Sequence, residues 1–298
     1  MSSIKIAVVG VGAIGGAVAA DLADLGRYEL QLCTRSSFSA LEVRHTAGTS
    51  KLSAPVRKDP KAAKPADWIL LATKAHQSES ARPWFDVLCH ERSVVVVLQN
   101  GVDHEQRIAP LVPEGVRILP VVVNLPAEKI EPGSIEQTNP GMLTVPDDEI
   151  GRGFAALFEG ARMRLKVSDD FITQAWWKLL SNAALGGVCA LSLRENTVAD
   201  DPDVRDLILG LMREIAAVAQ AVGAKLPADA PERALELVLN AAPDHWSSIT
   251  VDRREGRKLE WRARNAVVGK IGRQNGVATP LNDVVTTLLK ATDGGFES

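Results

Sequence analysis

The sequence predicts an α/β protein, with a first domain on a mostly parallel sheet over residues 1–168 and an all-α second domain over residues 169–298. Three observations lead there. Short β-branched runs alternate with helical stretches through the first half. The β signal ends after Ser168-Asp169-Asp170. The chain also opens on IKIAVVGVGAIGG, Ile4 to Gly16, where an apolar run passes straight into Gly10-x-Gly12-x-x-Gly15.

Each glycine of that opening has its own physical use. One suits a tight turn, one lets the backbone approach a pyrophosphate, and one lets the following helix pack on its strand. Ala13 to Leu25 contains no proline and reads as a helix. Gly10, Gly12, Ala13, Ile14 and Gly15 are therefore expected to hold the phosphates of a dinucleotide with the free N–H groups of a helix N-terminus. This makes the first domain Rossmann-type. The second apolar run, Glu29 to Cys33, ends in Thr34-Arg35-Ser36-Ser37, with no acid to accept from ribose hydroxyls. A guanidinium beside hydroxyls fits a phosphate dianion, so Arg35 points to NADP(H) rather than NAD(H).

Further strands are expected at Trp68 to Thr73, Val94 to Leu98 and Ile118 to Asn124. Runs such as VVVVL, apolar without alternation, suit strands covered on both faces. The stretch GSIEQTNPGMLTVP, Gly133 to Pro146, reads as an antiparallel hairpin about Asn139-Pro140-Gly141 that finishes the sheet. Beyond it, helices are expected over 171–197, 203–223, 230–241, 247–274 and 280–291, with stops at Gly223, Pro227, Pro243 and Gly276. A cleft between the two halves is the expected place for a substrate.

The composition of the 298 residues, 46% hydrophobic and 24% charged, is that of a globular protein. A net charge of -3 and the lack of any Lys/Arg block argue against a nucleic-acid binder. The longest apolar runs fall far short of the roughly 18 residues of a membrane span. Met1 to Ile6 lacks a signal-peptide layout, so a cytoplasmic location is expected. Three scattered cysteines, Cys33, Cys89 and Cys189, offer neither a disulfide framework nor a CxxC pattern, and five histidines show no HxxxH spacing. No metal site is expected. Six tryptophans, most in the apolar helical half, leave homodimer formation open.

Several short motifs occur together in order: Gly10-x-Gly12-x-x-Gly15, Thr73-Lys74-x-x-Gln77, Gln99-Asn100-Gly101, Lys178-x-x-x-Asn182, Ser247-Ser248 with Asp252, Gly256-Arg257 and Glu260, and Thr279-Pro280-x-Asn282. In these the chain resembles the 2-dehydropantoate 2-reductase (ketopantoate reductase) family over essentially its whole length. The resemblance implies NADPH-dependent reduction of a 2-keto acid to a 2-hydroxy acid, 2-dehydropantoate to pantoate in the family's own case. It also implies that Lys74 touches the cofactor, that Asn100 lies between nicotinamide and substrate, that Ser248 contacts the substrate, and that Glu260 helps to hold the lysine or the substrate.

Hydride delivery to a ketone builds charge on the carbonyl oxygen, which needs a proton donor within hydrogen-bond reach. Lys178, in Trp176-Trp177-Lys178-Leu179-Leu180, sits in an apolar helical context where desolvation would lower its pKa toward neutrality. From the residues alone it reads either as a general acid or as a snorkelling lysine whose stem covers the tryptophans. The resemblance selects the first. Asn182 lies one turn further on the same face, where it could bond the substrate or orient the ammonium. Ser248 and Glu260 would be about 18 Å apart on a straight helix, too far for one small substrate. A break at Gly256, with a second helix from around Lys258, would fold them back to one site.

The sequence departs from the family at Gly186, where the substrate helix usually carries a second asparagine, and Gly187 follows it. Loss of that amide suggests a roomier and less polar pocket, suited to a bulkier 2-keto acid. Other readings are a 3-hydroxy acid or opine dehydrogenase on the same architecture, and an NADP(H)-binding protein without catalysis.

Overall fold

A computed structural model describes residues 3–241 and 244–293. The chain falls into two compact units, the first comprising residues 1–99 and 104–171 and the second residues 100–103 and 172–298. The strands are β1 (Ile4–Val9), β2 (Tyr28–Cys33), β3 (Leu41–His45), β4 (Gly48–Leu52), β5 (Val56–Arg57), β6 (Trp68–Leu71), β7 (Val94–Val97), β8 (Arg117–Pro120), β9 (Val122–Asn124), β10 (Ala127–Glu131), β11 (Ser134–Gln137), β12 (Met142–Pro146) and β13 (Arg164–Ser168). Helices α1 (Ala13–Asp24), α2 (Arg82–Leu88), α3 (His104–Ile108) and α4 (Glu149–Ala156) belong to the same unit.

The main sheet runs β5-β2-β1-β6-β7-β8, and its neighbours pair in parallel. Strand order turns back between β1 and β6, and in open parallel sheets such a reversal is where ligands meet the carboxyl ends of the strands. Both faces are covered. Ile6 and Val8 of β1 enter one core and Ala7 and Val9 the other, and Val94 and Val96 of β7 likewise oppose Val95 and Val97. Burial on both sides is why these strands read as unbroken apolar runs.

Two expectations about the end of the sheet are corrected. The strand foreseen over Ile118 to Asn124 divides at Val121: β8 pairs with β7 as far as Pro120, whereas β9 leaves to pair antiparallel with β12. Proline offers no N–H with which to continue a ladder. The hairpin foreseen over Gly133 to Pro146 does not form. Its arms enter different sheets, β11 beside β3 and β10 in the order β10-β11-β3-β4, and β12 between β13 and β9. Asn139 Oδ1 accepts from Gly141 N at 2.8 Å, and Gly141 takes φ +73° against Leu125, so the turn sends the chain onward rather than back. The four-stranded sheet lies on α1. A Cβ on Gly16 would collide with Ile135 of β11 and come within 3.3 Å of Leu41 of β3.

The second unit consists of α5 (Phe171–Ser192, entered at residue 172), α6 (Pro202–Ala221), α7 (Ala230–Ala241), α8 (Ser248–Arg254), α9 (Val267–Gln274) and α10 (Pro280–Thr292), with a π-helical turn, Arg262–Ala266, ahead of α9. Trp176, Leu179, Leu180, Ala183 and Ala184 of α5 are buried in its core beside Ile208, Leu211 and Ile215 of α6. α5 ends at Ser192, five residues before the expected 197. Leu193 turns left-handed at φ 54°, Arg194 N donates to Cys189 O, and Arg253 donates to the last-turn carbonyl oxygens of Ala190 and Leu191. The expected break at Gly256 is present: φ is +67°, and the next helical residue is Trp261, three beyond Lys258. Gly223 and Gly276 also take positive φ where helices stop, and Pro243 lies outside the described residues. No described helix is long and apolar enough to cross a membrane.

Candidate active site

The glycine motif lies at the β1–α1 junction. Gly10 has φ +95°, and a Cβ there would fall 2.6 Å from Thr73 N; a Cβ on Gly15 would strike the carbonyl oxygen of Gly10. Both glycines are needed by the turn itself. Gly12 is different, because nothing lies within 4 Å of the position its Cβ would take. Its open side leaves room for a ligand against the backbone. Gly12 is also the N-cap of α1, with no side-chain cap and no acid in the first turn, so the N–H groups of the half-buried Ala13 and Ile14 and their neighbours face outward with the helix's partial positive charge. Arg35 is exposed just past β2, in a turn where Ser36 N donates to Thr34 Oγ1. Sequence reasoning missed a second cation here. Arg57 of β5 stands in register beside Cys33, and its buried Nε has no hydrogen-bond partner.

Lys74 follows β6 and begins a 3₁₀ turn, Ala75–Ala81, whose Gln77 N donates to the Lys74 carbonyl. Gln99, 4% exposed, locks this loop to the end of β7. Its amide donates to Thr73 O at 3.0 Å, its Oε1 accepts from Ser78 Oγ at 3.1 Å, and Arg107 Nη2 also donates to Oε1. The QNG motif thus places a structural glutamine immediately before Asn100.

Within the second unit, Lys178, Asn100 and Glu260 form one chain of hydrogen bonds. Lys178 Nζ donates to Asn100 Oδ1 at 3.2 Å, and Asn100 Nδ2 donates to Glu260 Oε2 at 3.2 Å. The amide connects a cation to a carboxylate that is itself buried, 5% exposed. Desolvation pulls the Lys178 ammonium down from 10.5 to about 7; the Arg264 guanidinium pushes the same way and Glu260 opposes. A lysine with that pKa exchanges protons near neutrality. Asn182, half-buried, follows one turn later on α5.

Ser248 opens α8 and is exposed, while Ser247 before it caps that helix by accepting from Thr250 N. Ser248 and Glu260 meet at one residue that the sequence analysis overlooked, Arg264. Arg264 Nη2 donates to Ser248 Oγ at 3.3 Å, and its backbone N donates to Glu260 O. The break at Gly256 therefore does bring the two ends together. A signal was present: Arg264 follows Glu260 by four residues, one helical turn along the same face. The expectation of a roomier, less polar space at Gly186 is also corrected. A Cβ there would lie 3.8 Å from Arg264 Nη1, 3.7 Å from Ser247 Oγ and 3.7 Å from Ile249. A guanidinium faces the position where the family usually has an asparagine.

A parallel sheet with an open glycine cradle, together with a helical unit holding a near-neutral lysine on an amide and a carboxylate, defines a dinucleotide-dependent oxidoreductase. Comparison with known proteins gives the particular kind. Residues 6–149 match the family model described as ketopantoate reductase PanE/ApbA, and residues 170–293 match its C-terminal counterpart. The 2-dehydropantoate 2-reductase of Caulobacter vibrioides is 38% identical, over 96% of this chain and 98% of its own, and that of Mycobacterium tuberculosis is 38% identical over 97% and 98%. Among solved structures, a PanE/ApbA family ketopantoate reductase from Ralstonia eutropha superposes with a TM-score of 0.89 at 26% identity, over 97% of this chain and 98% of its own. The chain belongs to the ketopantoate reductase family.

Proposed function

We propose that this protein reduces 2-dehydropantoate to pantoate with NADPH, and that Lys178 is the proton donor. The observation that carries the reading is the hydrogen-bonded chain from Lys178 through Asn100 to Glu260, with the lysine held near neutrality. The cofactor fits the first unit: the space that a Cβ on Gly12 would fill is open, and the uncapped N-terminus of α1 suits a diphosphate. Gly10, Gly12, Ala13, Ile14 and Gly15 would hold that diphosphate, Arg35 the additional phosphate and Lys74 the nucleotide's other polar groups. When bound, NADPH supplies the hydride that reaches the carbonyl carbon.

The chain's own residues do the rest. Lys178 gives its proton to the carbonyl oxygen as the C=O bond becomes C–OH, and solvent reprotonates the amine. Asn100 aims the ammonium through its Oδ1, while Glu260 fixes the amide by accepting from Nδ2. Asn182 and Ser248 would donate to substrate oxygens. The test is steady-state reduction of 2-dehydropantoate and a panel of other 2-keto acids with NADPH and with NADH, followed by loss of nicotinamide absorbance. The expected result is preferred use of 2-dehydropantoate and NADPH. Faster turnover of a branched or aromatic 2-keto acid would overturn the substrate assignment, and preference for NADH would overturn the role of Arg35.

A further inference from the structure

We propose that Arg264 binds the carboxylate of the 2-keto acid. This rests on the reading of the chain as a 2-keto acid reductase. Arg264 is 4% exposed, yet its Nε and Nη1 have no hydrogen-bond partner; among described groups its side chain donates from Nη2 to Ser248 Oγ alone. A guanidinium carries five N–H donors and stays charged, so leaving three of them buried and unmet is unfavourable. Carboxylates lie near but have other work: Asp252, 2% exposed, accepts from Arg257 Nε at 2.8 Å, and Glu260 accepts from Asn100. They balance the charge of Arg264 without satisfying Nε or Nη1.

The unmet donors point toward the substrate helix. Nη1 lies 3.8 Å from the position of a Cβ on Gly186, which shares a face of α5 with Lys178 and Asn182 at intervals of four residues. Gly186 makes this approach possible, since a side chain of asparagine length would extend into the guanidinium's place. In a 2-keto acid the carboxylate is bonded directly to the ketone carbon. A substrate with its ketone oxygen at Lys178 therefore carries an anion beside the reacting carbon, where a neighbouring cation that forms bidentate pairs can receive it. The glycine that replaces the usual asparagine is thus paired with an arginine arriving from the π-helical turn.

The test compares wild type with Arg264→Gln and Arg264→Lys on 2-dehydropantoate and on its methyl ester. KM is measured with NADPH, and equilibrium binding of 2-dehydropantoate is measured calorimetrically in the presence of NADP+, where no turnover occurs. Arg264→Gln should weaken binding and raise KM for the acid about 10- to 100-fold, the range for one charge-assisted hydrogen bond. KM for the ester should stay within about twofold, and Arg264→Lys should recover part of the loss. NADPH affinity and the thermal transition report that the variants are folded. An equal loss for acid and ester, or no loss for the acid, would overturn the proposal. If wild type reduces no 2-keto acid but binds 2-dehydropantoate in an Arg264-dependent way, the assigned reaction falls and the carboxylate site stands. If wild type reduces the acid and binding ignores Arg264, the reverse holds, and if it neither binds nor reduces the acid, both fall.

Discussion

Replacing Lys178 with methionine, which keeps the length of the side chain but removes its charge, should make the protein more stable and nearly inactive. Burial lowers the lysine pKa from 10.5 to about 7, and at ~1.4 kcal/mol per pH unit that displacement corresponds to about 5 kcal/mol. The sign follows from proton binding. Between those two values the unfolded chain holds a proton that the folded chain has released, so stability rises with pH across this interval. The penalty of the buried ammonium is complete below pH 7, shrinks as pH rises from there, and is gone above about pH 10.5. Lys178→Met should accordingly gain up to about 5 kcal/mol near pH 6, less about 1 kcal/mol for the hydrogen bond lost by Asn100 Oδ1, and gain little near pH 10. Urea unfolding at both pH values reads the difference. The same variant should lose about 10²- to 10⁴-fold in turnover, the usual contribution of a positioned general acid. A variant no more stable than wild type near pH 6, or one that keeps its reductase rate, would refute the reasoning.

Four further outcomes are expected. In wild type, kcat/KM for ketone reduction should fall about tenfold per pH unit above about pH 7, because Lys178 must hold the proton it donates; a flat profile to about pH 9 would remove it as donor. Arg35→Ser should raise KM for NADPH about 10- to 100-fold and leave NADH unaffected, so an equal effect on both would make Arg35 an ordinary surface cation. Gly10→Ala should abolish NADPH binding in a direct titration, since φ +95° and the approach to Thr73 both oppose a Cβ; normal binding would show that the turn can relax. In α5, thermal unfolding should show Gly186→Ala gaining about 0.5–1 kcal/mol, because its Cβ meets only ordinary contacts at 3.7 Å and beyond, and Gly187→Ala losing stability against Asn265 Nδ2 at 3.0 Å and Val285 at 3.1 Å.

Much of the parallel sheet was legible because its strands are buried on both faces and so read as unbroken apolar runs. The bend at Gly256 was legible once the resemblance put Ser248 and Glu260 at one substrate, since a straight helix would hold them about 18 Å apart. The smaller sheets were not. β3, LEVRH, and β4, GTSKL, form a short hairpin with polar residues on an outer face, and only β3 goes on to pair with a distant strand, β11, so their alternation is weak in the sequence. The turn at Asn139 to Gly141 looks in sequence like the tip of a hairpin. The distant partners of its two arms, β3 for β11 and β9 and β13 for β12, make it a crossing between two sheets. Arg264 escaped notice for a related reason, because it stands between Arg262 and Asn265 in a stretch that reads as a solvated polar face. Gly16 shows the same limit inside a recognised motif: the fingerprint accounts for Gly15, whereas Gly16 is required by Ile135, a residue more than a hundred positions away.

The π-helical turn bears on how the site could be lost. Val267 N donates to Arg262 O, five residues back, and in this widened turn three consecutive residues, Ala263, Arg264 and Asn265, are all buried. Asn265 uses its place to donate to the Ala183 carbonyl oxygen at 2.8 Å, and Arg264 uses its own to face Gly186. The five-residue hydrogen bond rotates successive side chains through less than the about 100° of an α-helix, which lets the consecutive Arg264 and Asn265 both reach α5. The number of residues between Trp261 and Val267 is therefore as much a part of the site as their identities. Removing Ala263, among the least reactive side chains in the protein, would restore a regular helix and turn the guanidinium away from α5 while leaving every polar group of the site in the sequence.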